Sequence, residues 1–366
     1  MSKHIVLVEP NYYTKYPPIG LLKISTFEKN NGNTTELVRK LSFPKKRPDK
    51  IYVTSLFTWA WQPVWRAVRK HKAWFPEIEL WLGGLYASLM PEHAKMSGAD
   101  HIYQGIFWEV EECIPDYSLV PEWDASIVWA SRGCKNKCTF CAVPKLEGSL
   151  NHERPSISKF IWEGHKKIIF FDNNILATKY WKDIFEEVIE LNMIVDFNEG
   201  LDARLLNEDA AVLISKMKIP IVRLAYDMPS QKHYVKKAIN LLNNYGISKR
   251  DILVYSLFNY TESPDEYHKR VLEILEWGAV CYPMRFQPCM TLKKDSYISP
   301  KWTPERLEMV QRSRRVIGYG GTFPPYEGLI NKFKQASNFD EAFSLYPLDR
   351  SEEKFKDENF IQTKIV

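Results

Sequence analysis

The 366-residue sequence holds no run near the roughly 20 apolar residues that a membrane-spanning helix needs. Its start, Met1 to Pro10, has no apolar signal-peptide core and runs directly into the strand-like His4–Glu9. Six cysteines are too few and too scattered for a disulfide framework. Charge of one sign is also scarce. A formal net charge of +5 and a pI near 8.6 do not indicate nucleic acid, although anionic cofactors would be tolerated. What remains is ordinary globular composition, 45% hydrophobic and 26% charged, on a chain long enough for two domains or one large α/β barrel. Aromatic residues, at 14% with 12 tryptophans, are unusually frequent and suit thick cores or deep pockets.

Half of the cysteines fall in one stretch, Cys134-Lys135-Asn136-Lys137-Cys138-Thr139-Phe140-Cys141. The C-x3-C-x2-C spacing is one thiolate short of a closed four-ligand site. Three thiolates on a cubane [4Fe–4S] cluster leave one iron open, whereas a structural zinc wants a fourth Cys or His; His152 or His101 are the candidates. The stretch follows an apolar segment, Ala125 to Arg132, that reads as a buried strand. A loop hung from a rigid strand is a common place for chemistry. The other cysteines, Cys113, Cys281 and Cys289, read as core residues. Cys281 and Cys289 would be too few to hold an auxiliary cluster.

The spacing, the aromatic Phe140 before the last cysteine and the preceding strand together resemble the radical S-adenosylmethionine (SAM) superfamily. The resemblance implies a [4Fe–4S] cluster on Cys134, Cys138 and Cys141, with SAM chelated to the open iron. It also implies reductive cleavage of SAM to a 5′-deoxyadenosyl radical that abstracts hydrogen from a substrate. A one-electron donor of flavodoxin or ferredoxin type would be the partner, and a reducing, cytoplasmic compartment would be needed.

Before the cysteines, strands alternate with helices. Strands are expected at 4–9, 35–38, 51–57, 77–82 and 101–104. Helices are expected at 19–29, 62–74 (inner face Val64, Val68 and Trp74) and 87–96. This describes a parallel sheet covered on both faces, a Rossmann-like, flavodoxin-like domain over residues 1–108. It resembles the cobalamin-binding domain that precedes many radical SAM barrels. The matching pieces are Tyr16-Pro17-Pro18-Ile19-Gly20-Leu21, Thr54-Ser55-Leu56 and Gly83-Gly84-Leu85-Tyr86-Ala87-Ser88, with 27 residues between Ser55 and Gly83. The D-x-H-x-x-G loop of that family falls on Glu9-Pro10-Asn11-Tyr12-Tyr13-Thr14. An Asn stands where the cobalt-ligating His would be, so cobalamin would have to bind without a protein histidine.

Residues 109–124, acidic and proline-bearing, read as a linker. The alternation then restarts. Strands are expected at 125–131, 167–172, 194–198, 221–226, 251–258 and 280–287. Helices are expected at 156–165, 177–192, 207–217, 232–245, 263–277 and 303–316. Six β/α units over 125–300 match the partial (β/α)6 barrel of radical SAM enzymes, and residues 301–366 form an extension. Ligands of such barrels lie at the C-terminal strand ends. Polar residues there are the site candidates: Asp172 and Asn173 after the second strand; Asn198, Glu199, Asp202 and Arg204 after the third; Arg223 in the fourth. In the resemblance, Asp172 and Asn173 meet the SAM amino group, Glu199 the ribose hydroxyls and Arg223 the SAM carboxylate. The competing readings are a turn at 172–174, an internal Asp202–Arg204 pair and an Arg223 paired outside the barrel. Tyr255, Asn259, Tyr282, Arg285 and Gln287 are substrate-side candidates. Trp59, Trp61 and Trp65 either stack a planar ring or fill the core. Gly318 to Gly328 is a glycine, proline and aromatic loop placed to cover the barrel.

Within this class, hydrogen abstraction without cobalamin competes with cobalamin-dependent methyl transfer. Outside it stand a non-catalytic iron–sulfur binding protein and a zinc-loop nucleic-acid module.

Overall fold

The computed structural model describes residues 2–318 and 327–344. Most of the Gly318–Gly328 loop and the charged C-terminal tail lie outside these residues. Among the described residues, every strand ladder is parallel.

The first sheet has the order β2-β1-β3-β4-β5, with β1 at His4–Glu9, β2 at Thr34–Arg39, β3 at Lys50–Ser55, β4 at Leu80–Gly84 and β5 at His101–Ile102. Alternation along β1 explains why both faces are covered. Ile5 and Leu7 join Leu21 and Ile24 of helix α1 (Ile19–Asn30) in one cluster. Val6 and Val8 join Val64 and Val68 of α2 (Trp61–Trp74) in another. Ala67 and His71 complete that inner face, and Trp74 stays only partly buried. The helix expected over 87–96 is two short ones, α3 (Leu85–Leu89) and α4 (Pro91–Lys95), because Pro91 removes an amide and starts its own turn.

Six strands follow as two three-stranded sheets: β6 (Ala125–Val128), β7 (Lys167–Phe170) and β8 (Ile194–Phe197), then β9 (Val222–Ala225), β10 (Ile252–Phe258) and β11 (Val280–Arg285). Isolated parallel bridges Ile194–Lys218 and Leu201–Leu224 connect them across β8 and β9, so all six strands curve as one sequential wall. The outer helices are α6 (Trp181–Leu191), α7 (Glu208–Lys216), α8 (Lys232–Asn244) and α9 (Pro264–Glu276), after a short α5 (Val143–Leu146). Two of these helices start on a side-chain cap. Asn207 accepts from the Ala210 amide, and Ser263 forms a capping box with Glu266. The helix expected over 156–165 is only a 3-10 turn, Ser158–Phe160, bounded by Pro155 and Gly164. Helices α10 (Pro304–Ile317), α11 (Glu327–Gln335) and α12 (Phe339–Phe343) contribute Val310, Phe333 and Phe343 to the same core as the barrel.

The stretch 109–124 is not a loose tether. Val110, Glu111, Asp116, Tyr117 and Val120 are all buried. Ile19 and Leu22 of α1, Tyr117 and Val120 of the connector, and Ile127 and Ile169 of the barrel form one apolar cluster between the two units. At its edge sits a buried carboxylate. Glu111 takes a bidentate pair from Arg132 (2.8 and 2.9 Å), one bond from Lys23 Nζ (2.9 Å) and one from Arg154 (3.2 Å). Burial alone would raise this carboxyl. The hydrogen bonds and charge of Arg132, with the charge of Lys23, outweigh that and hold it at about 2. Its contribution to stability is therefore complete above the usual carboxylate range and lost as pH falls through about 2.

Removing one partner from a buried ionic group costs about 3–5 kcal/mol, because the remaining charges stay desolvated and unpaired. Glu111→Gln leaves three buried cations around a neutral amide and should lower stability by about that much in denaturant unfolding. Lys23, which burial pushes down to about 8, is the least committed of the three cations. Lys23→Met should cost no more than about half as much; equal losses would remove Glu111 from the centre of the network.

Candidate functional site

The cysteine loop leaves β6 and returns through a narrow neck. Arg132 and Asn151 exchange both backbone hydrogen bonds (2.9 and 2.8 Å), and the Cys134 amide donates to the Gly148 carbonyl at 3.2 Å. The neck is closed at Gly133, whose φ is +71°. A Cβ there would stand 2.1 Å from the Ser149 carbonyl oxygen, so only glycine fits.

Carboxylates hold this loop from behind. Asp172, after β7, is buried and accepts from the Ala130 amide (2.9 Å), the Ser131 amide (2.7 Å) and the Ser131 hydroxyl (2.8 Å). Burial pushes it up to about 6, against these hydrogen bonds and the Arg132 charge. The expectation that Asp172 meets the SAM amino group is thus corrected: its oxygens are committed to the turn that launches the cysteine loop. Asn173 likewise donates to Glu147 (3.0 Å), which accepts from the Gly133 amide (2.8 Å). Asp202 forms the competing internal pair with Arg204 (2.8 Å), but it does more. Its second oxygen accepts from Asn136, inside the cysteine motif (3.0 Å), and from Asn174 (2.9 Å). The ends of β7 and β8 are thereby tied to the loop between Cys134 and Cys138.

On the other side Tyr260, after β10, holds the motif through Thr139 (hydroxyl to hydroxyl, 2.6 Å) and edge-on contact with Phe140 (5.7 Å between centroids). Phe140 therefore packs as part of the loop's support. Cys289 is expected in the core, yet its thiol faces the Phe140 carbonyl at 3.7 Å. Cys281 is fully buried, and burial pushes it up to about 12, as a core residue should be.

Cys134, Cys138 and Cys141 share one loop, although among the described residues no three Cys, His, Asp or Glu side chains converge as a ready metal site. Backbone amides of Asn136 and Val143 donate to the sulfurs of Cys134 and Cys141, each at 3.4 Å. Burial pushes Cys138 and Cys141 up, and the thiols raise one another; the Arg204 guanidinium works against this at Cys138. The Val143 amide and the Arg204 charge favour the thiolates that bound metal requires, but burial outweighs them at Cys141 and Cys138. The zinc alternative loses its fourth ligand. His152 is paired with Glu112 (2.7 Å), and His101 lies in the first unit, paired with Glu79 (2.5 Å) and stacked on Trp81.

Inside the barrel lies a second polar group. Val195, Phe197, Val222 and Leu224 face the helices, so Asp196 and Arg223 face inward. They pair with each other. Arg223 is interior, as expected, but its guanidinium has a carboxylate partner in the protein itself. Asn198 donates to Glu199 (2.7 Å). Glu199 is exposed to solvent yet crowded by protein, as a carboxylate on a cleft wall would be, and the crowding raises it. Tyr255 donates to the Asn198 carbonyl (3.3 Å) and meets Tyr282 edge-on (5.7 Å). The first unit adds Tyr16, whose hydroxyl donates to Asn198 Oδ1 at 2.5 Å and whose ring packs edge-on to Phe171 (4.8 Å). Asn259, Arg285 and Gln287 instead brace the loop after β11, through the Tyr297 carbonyl and Thr291.

The residues resembling a cobalamin site are used by the first unit on itself. The Ser55 hydroxyl donates to the Gly83 carbonyl (2.7 Å) and accepts from the Ala87 amide (3.1 Å), leaving no proton for a ligand nitrogen. Gly84 is demanded by its neighbour strand: a Cβ would stand 2.2 Å from the Ser55 carbonyl oxygen. Tyr12 packs on the sheet beside these strands. Trp61 and Trp65, both half-buried, meet each other edge-on and both contact His93, and Trp59 stacks on Phe57. Ser55 and Gly84 are thus engaged within the sheet, and Asn11, not a histidine, stands at the cobalt-facing position of the resemblance.

No family model matches the sequence. A curated ribosomal protein uS12 methylthiotransferase, RimO, from a Nitratiruptor species is 25% identical over 205 residues, 51% of this chain and 45% of that protein. The tRNA-2-methylthio-N(6)-dimethylallyladenosine synthase of Desulforamulus reducens is 25% identical over 145 residues, 37% of this chain and 31% of that protein. The chain thus spans less than half the length of either relative. In fold it is similar to TsrM, a radical S-adenosylmethionine methyltransferase from Kitasatospora setae solved with cobalamin and a [4Fe-4S] cluster. The TM-score is 0.63 at 13% identity, over 93% of this chain and 81% of that one. TsrM with tryptophan and a SAM analogue gives 0.62 over 80% and 75%.

Asp172→Ala leaves two buried amides without an acceptor, at about 1–3 kcal/mol each. The variant should bind less iron on anaerobic reconstitution than Asp172→Asn, which keeps one acceptor. Because the Asp172 carboxyl is raised to about 6, its charge weakens the fold as pH climbs from about 4 to 6. Asp172→Asn should flatten the pH dependence of unfolding across that window; an unchanged slope would contradict a buried carboxylate there.

Proposed function

We propose that this member of the radical SAM superfamily is an enzyme that cleaves SAM by one-electron reduction and acts on a substrate held in the barrel lumen. The observation that carries the reading is the pairing of two groups on one wall of parallel strands. One is a loop of three thiols with amide donors and Arg204 beside it. The other is a set of polar side chains on the ends of the neighbouring strands, the Asp196–Arg223 pair, Asn198 and Glu199.

Cys134, Cys138 and Cys141 would hold a [4Fe–4S] cluster with one iron left for SAM. When bound, this pair would supply one-electron cleavage of the sulfonium to methionine and a 5′-deoxyadenosyl radical, which becomes 5′-deoxyadenosine on taking a hydrogen atom from the substrate; that chemistry belongs to the cofactors. The chain's own residues orient and shield. Asp202, Asn136 and Asn174 hold the loop against the strand ends, and Asp172, Asn173 and Glu147 brace its neck. Glu199 would offer acceptors toward ribose hydroxyls, since a carboxylate accepts only, and Asn198, held by Tyr16, orients it. The Asp196–Arg223 pair, Tyr255 and Tyr282 form the polar wall against which a substrate would sit.

The relatives named as methylthiotransferases support the superfamily and leave the transferred group open. Cys281 is in the helix-facing core and Cys289 lies against Phe140, so these two thiols do not converge as a second ligand set. Hydrogen abstraction is therefore preferred here. Cobalamin is left out of the reading because Ser55 and Gly84 serve the sheet itself.

Anaerobically reconstituted protein given SAM and a strong reductant should release 5′-deoxyadenosine. Cys138→Ala should abolish both iron loading and product, while Cys281→Ala should keep both. A fully loaded cluster that yields no 5′-deoxyadenosine would overturn the reading. The same sample, incubated with hydroxocobalamin and desalted, should retain no corrinoid absorbance.

A further inference from the structure

The loop that presents the three thiols also presents cations to solvent. Lys135 and Lys137 flank Asn136, which turns inward to Asp202, and both lysines are exposed. Lys145 is exposed on α5, and its ammonium lies 4.0 Å from the Met290 sulfur. Lys293 and Lys294 are exposed a few residues further along the same segment. That segment is held to the thiol loop by Cys289 and to the first unit by Thr58 and Trp61, which donate to the Thr291 and Leu292 carbonyls at 2.6 and 3.2 Å.

Among the described residues, none of these five lysines has an ion-pair partner, although lysines elsewhere do. The five carry a formal charge of +5 between them, and the acid that follows Lys294, Asp295, pairs with Arg285 at 3.8 Å. Within the rim, Met290 is 50% exposed and Leu292 37%. An apolar centre ringed by unpaired charge is the anatomy of a protein interface. A nucleic acid would offer phosphates to the same lysines, but single strands also need aromatic rings to stack on. The large exposed side chains on these segments are aliphatic.

We propose that this rim is the docking surface for an acidic one-electron carrier protein, which delivers its electron through the exposed face of the cysteine loop. The proposal rests on the reading of that loop as a cluster holder. In the transfer one electron leaves the carrier and enters the site; no bond forms and no proton moves. Opposite charge would speed encounter and set orientation, and salt would weaken both.

The test uses the full chain with its cluster reconstituted and a flavodoxin as probe. Binding of oxidised flavodoxin should weaken at least tenfold between low and moderate salt. Lys135→Glu with Lys137→Glu should weaken it at least tenfold at low salt and slow cluster reduction by flavodoxin hydroquinone in stopped-flow absorbance. If that pair disturbs iron loading, Lys293→Glu with Lys294→Glu carries the same expectation from outside the motif. Reversal of the exposed Lys236 and Lys237 on α8 should change nothing. Reduced methyl viologen, a small cation, should reduce every variant at the wild-type rate. Binding that ignores salt and both rim reversals, or responds to the α8 reversal, overturns the docking surface. So does a rim reversal that abolishes affinity for an RNA oligonucleotide while leaving flavodoxin binding intact. Failure of methyl viologen to yield 5′-deoxyadenosine would instead sink the enzymatic reading.

Discussion

A single buried carboxylate, Glu111, ties together the three parts that the site needs. Lys23 comes from the first helix, Arg132 stands two residues before the first cysteine of the loop, and Arg154 follows the loop's return. Arg132 is also clamped over the Trp129 ring at 4.0 Å, and Arg154 reaches the Trp129 carbonyl at 2.9 Å. Three cations converge on one acid in a desolvated place. Such an arrangement is poor as a source of net stability, because desolvation offsets most of the attraction. It is effective at specifying geometry, because any displacement strands a charge. The orientation of the cysteine loop relative to the first unit is therefore set by electrostatics, with the apolar cluster around Ile19, Tyr117 and Ile127 supplying the burial that keeps those charges dry.

The same logic runs through the loop's other supports. Asp172, Glu147 and Asp202 all sit where catalytic carboxylates are sought in barrels of this kind, and each is engaged with the backbone or amide groups of the cysteine loop. A long loop with thiols at three points needs many acceptors behind it, since its amides cannot pair as a helix or strand would. The division of labour follows. Acidic residues nearest the loop position it, whereas Asp196 is paired with Arg223 and the exposed Glu199 accepts from Asn198.

Much of this architecture was legible because it is periodic. Every barrel strand announces itself as an apolar run, and the caps at Asn207, Ser263 and Thr303 are local signals that stay local in the fold. The cysteine motif is likewise contained in eight consecutive residues. What escaped was everything that depends on pairing across distance. Glu111 looks like one acid among several in a linker until Lys23, 88 residues away, is seen to meet it. Asp172 looks like a ligand because it ends a strand; its partner amides, 41 and 42 residues earlier, carry no mark of the bond. The false helix at 156–165 arose from composition alone, with Pro155 and Gly164 close enough to its ends to pass as boundaries.

The first unit shows how a fold and its ligand site come apart. Its strand order places a crevice beside β1 and β3, where ligands of such sheets bind. Here Tyr12 folds back over the sheet, and the Ser55 hydroxyl bonds to β4. Four residues further on, the same loop turns Tyr16 away from its own sheet and into the neighbouring barrel, where it meets Asn198. Thr14 steadies that turn by donating to the Tyr16 carbonyl at 3.1 Å. A phenol buried among Asp196, Glu199 and Tyr255 resists ionisation strongly, since burial and those neighbouring charges all raise it. It therefore stays a neutral donor across the working pH range, and it holds Asn198 in the orientation that directs the Asn198 amide toward Glu199. The unit that resembles a cofactor domain thus reaches the polar wall of the barrel through Tyr16, in addition to its contacts through Lys23, Thr58 and Trp61.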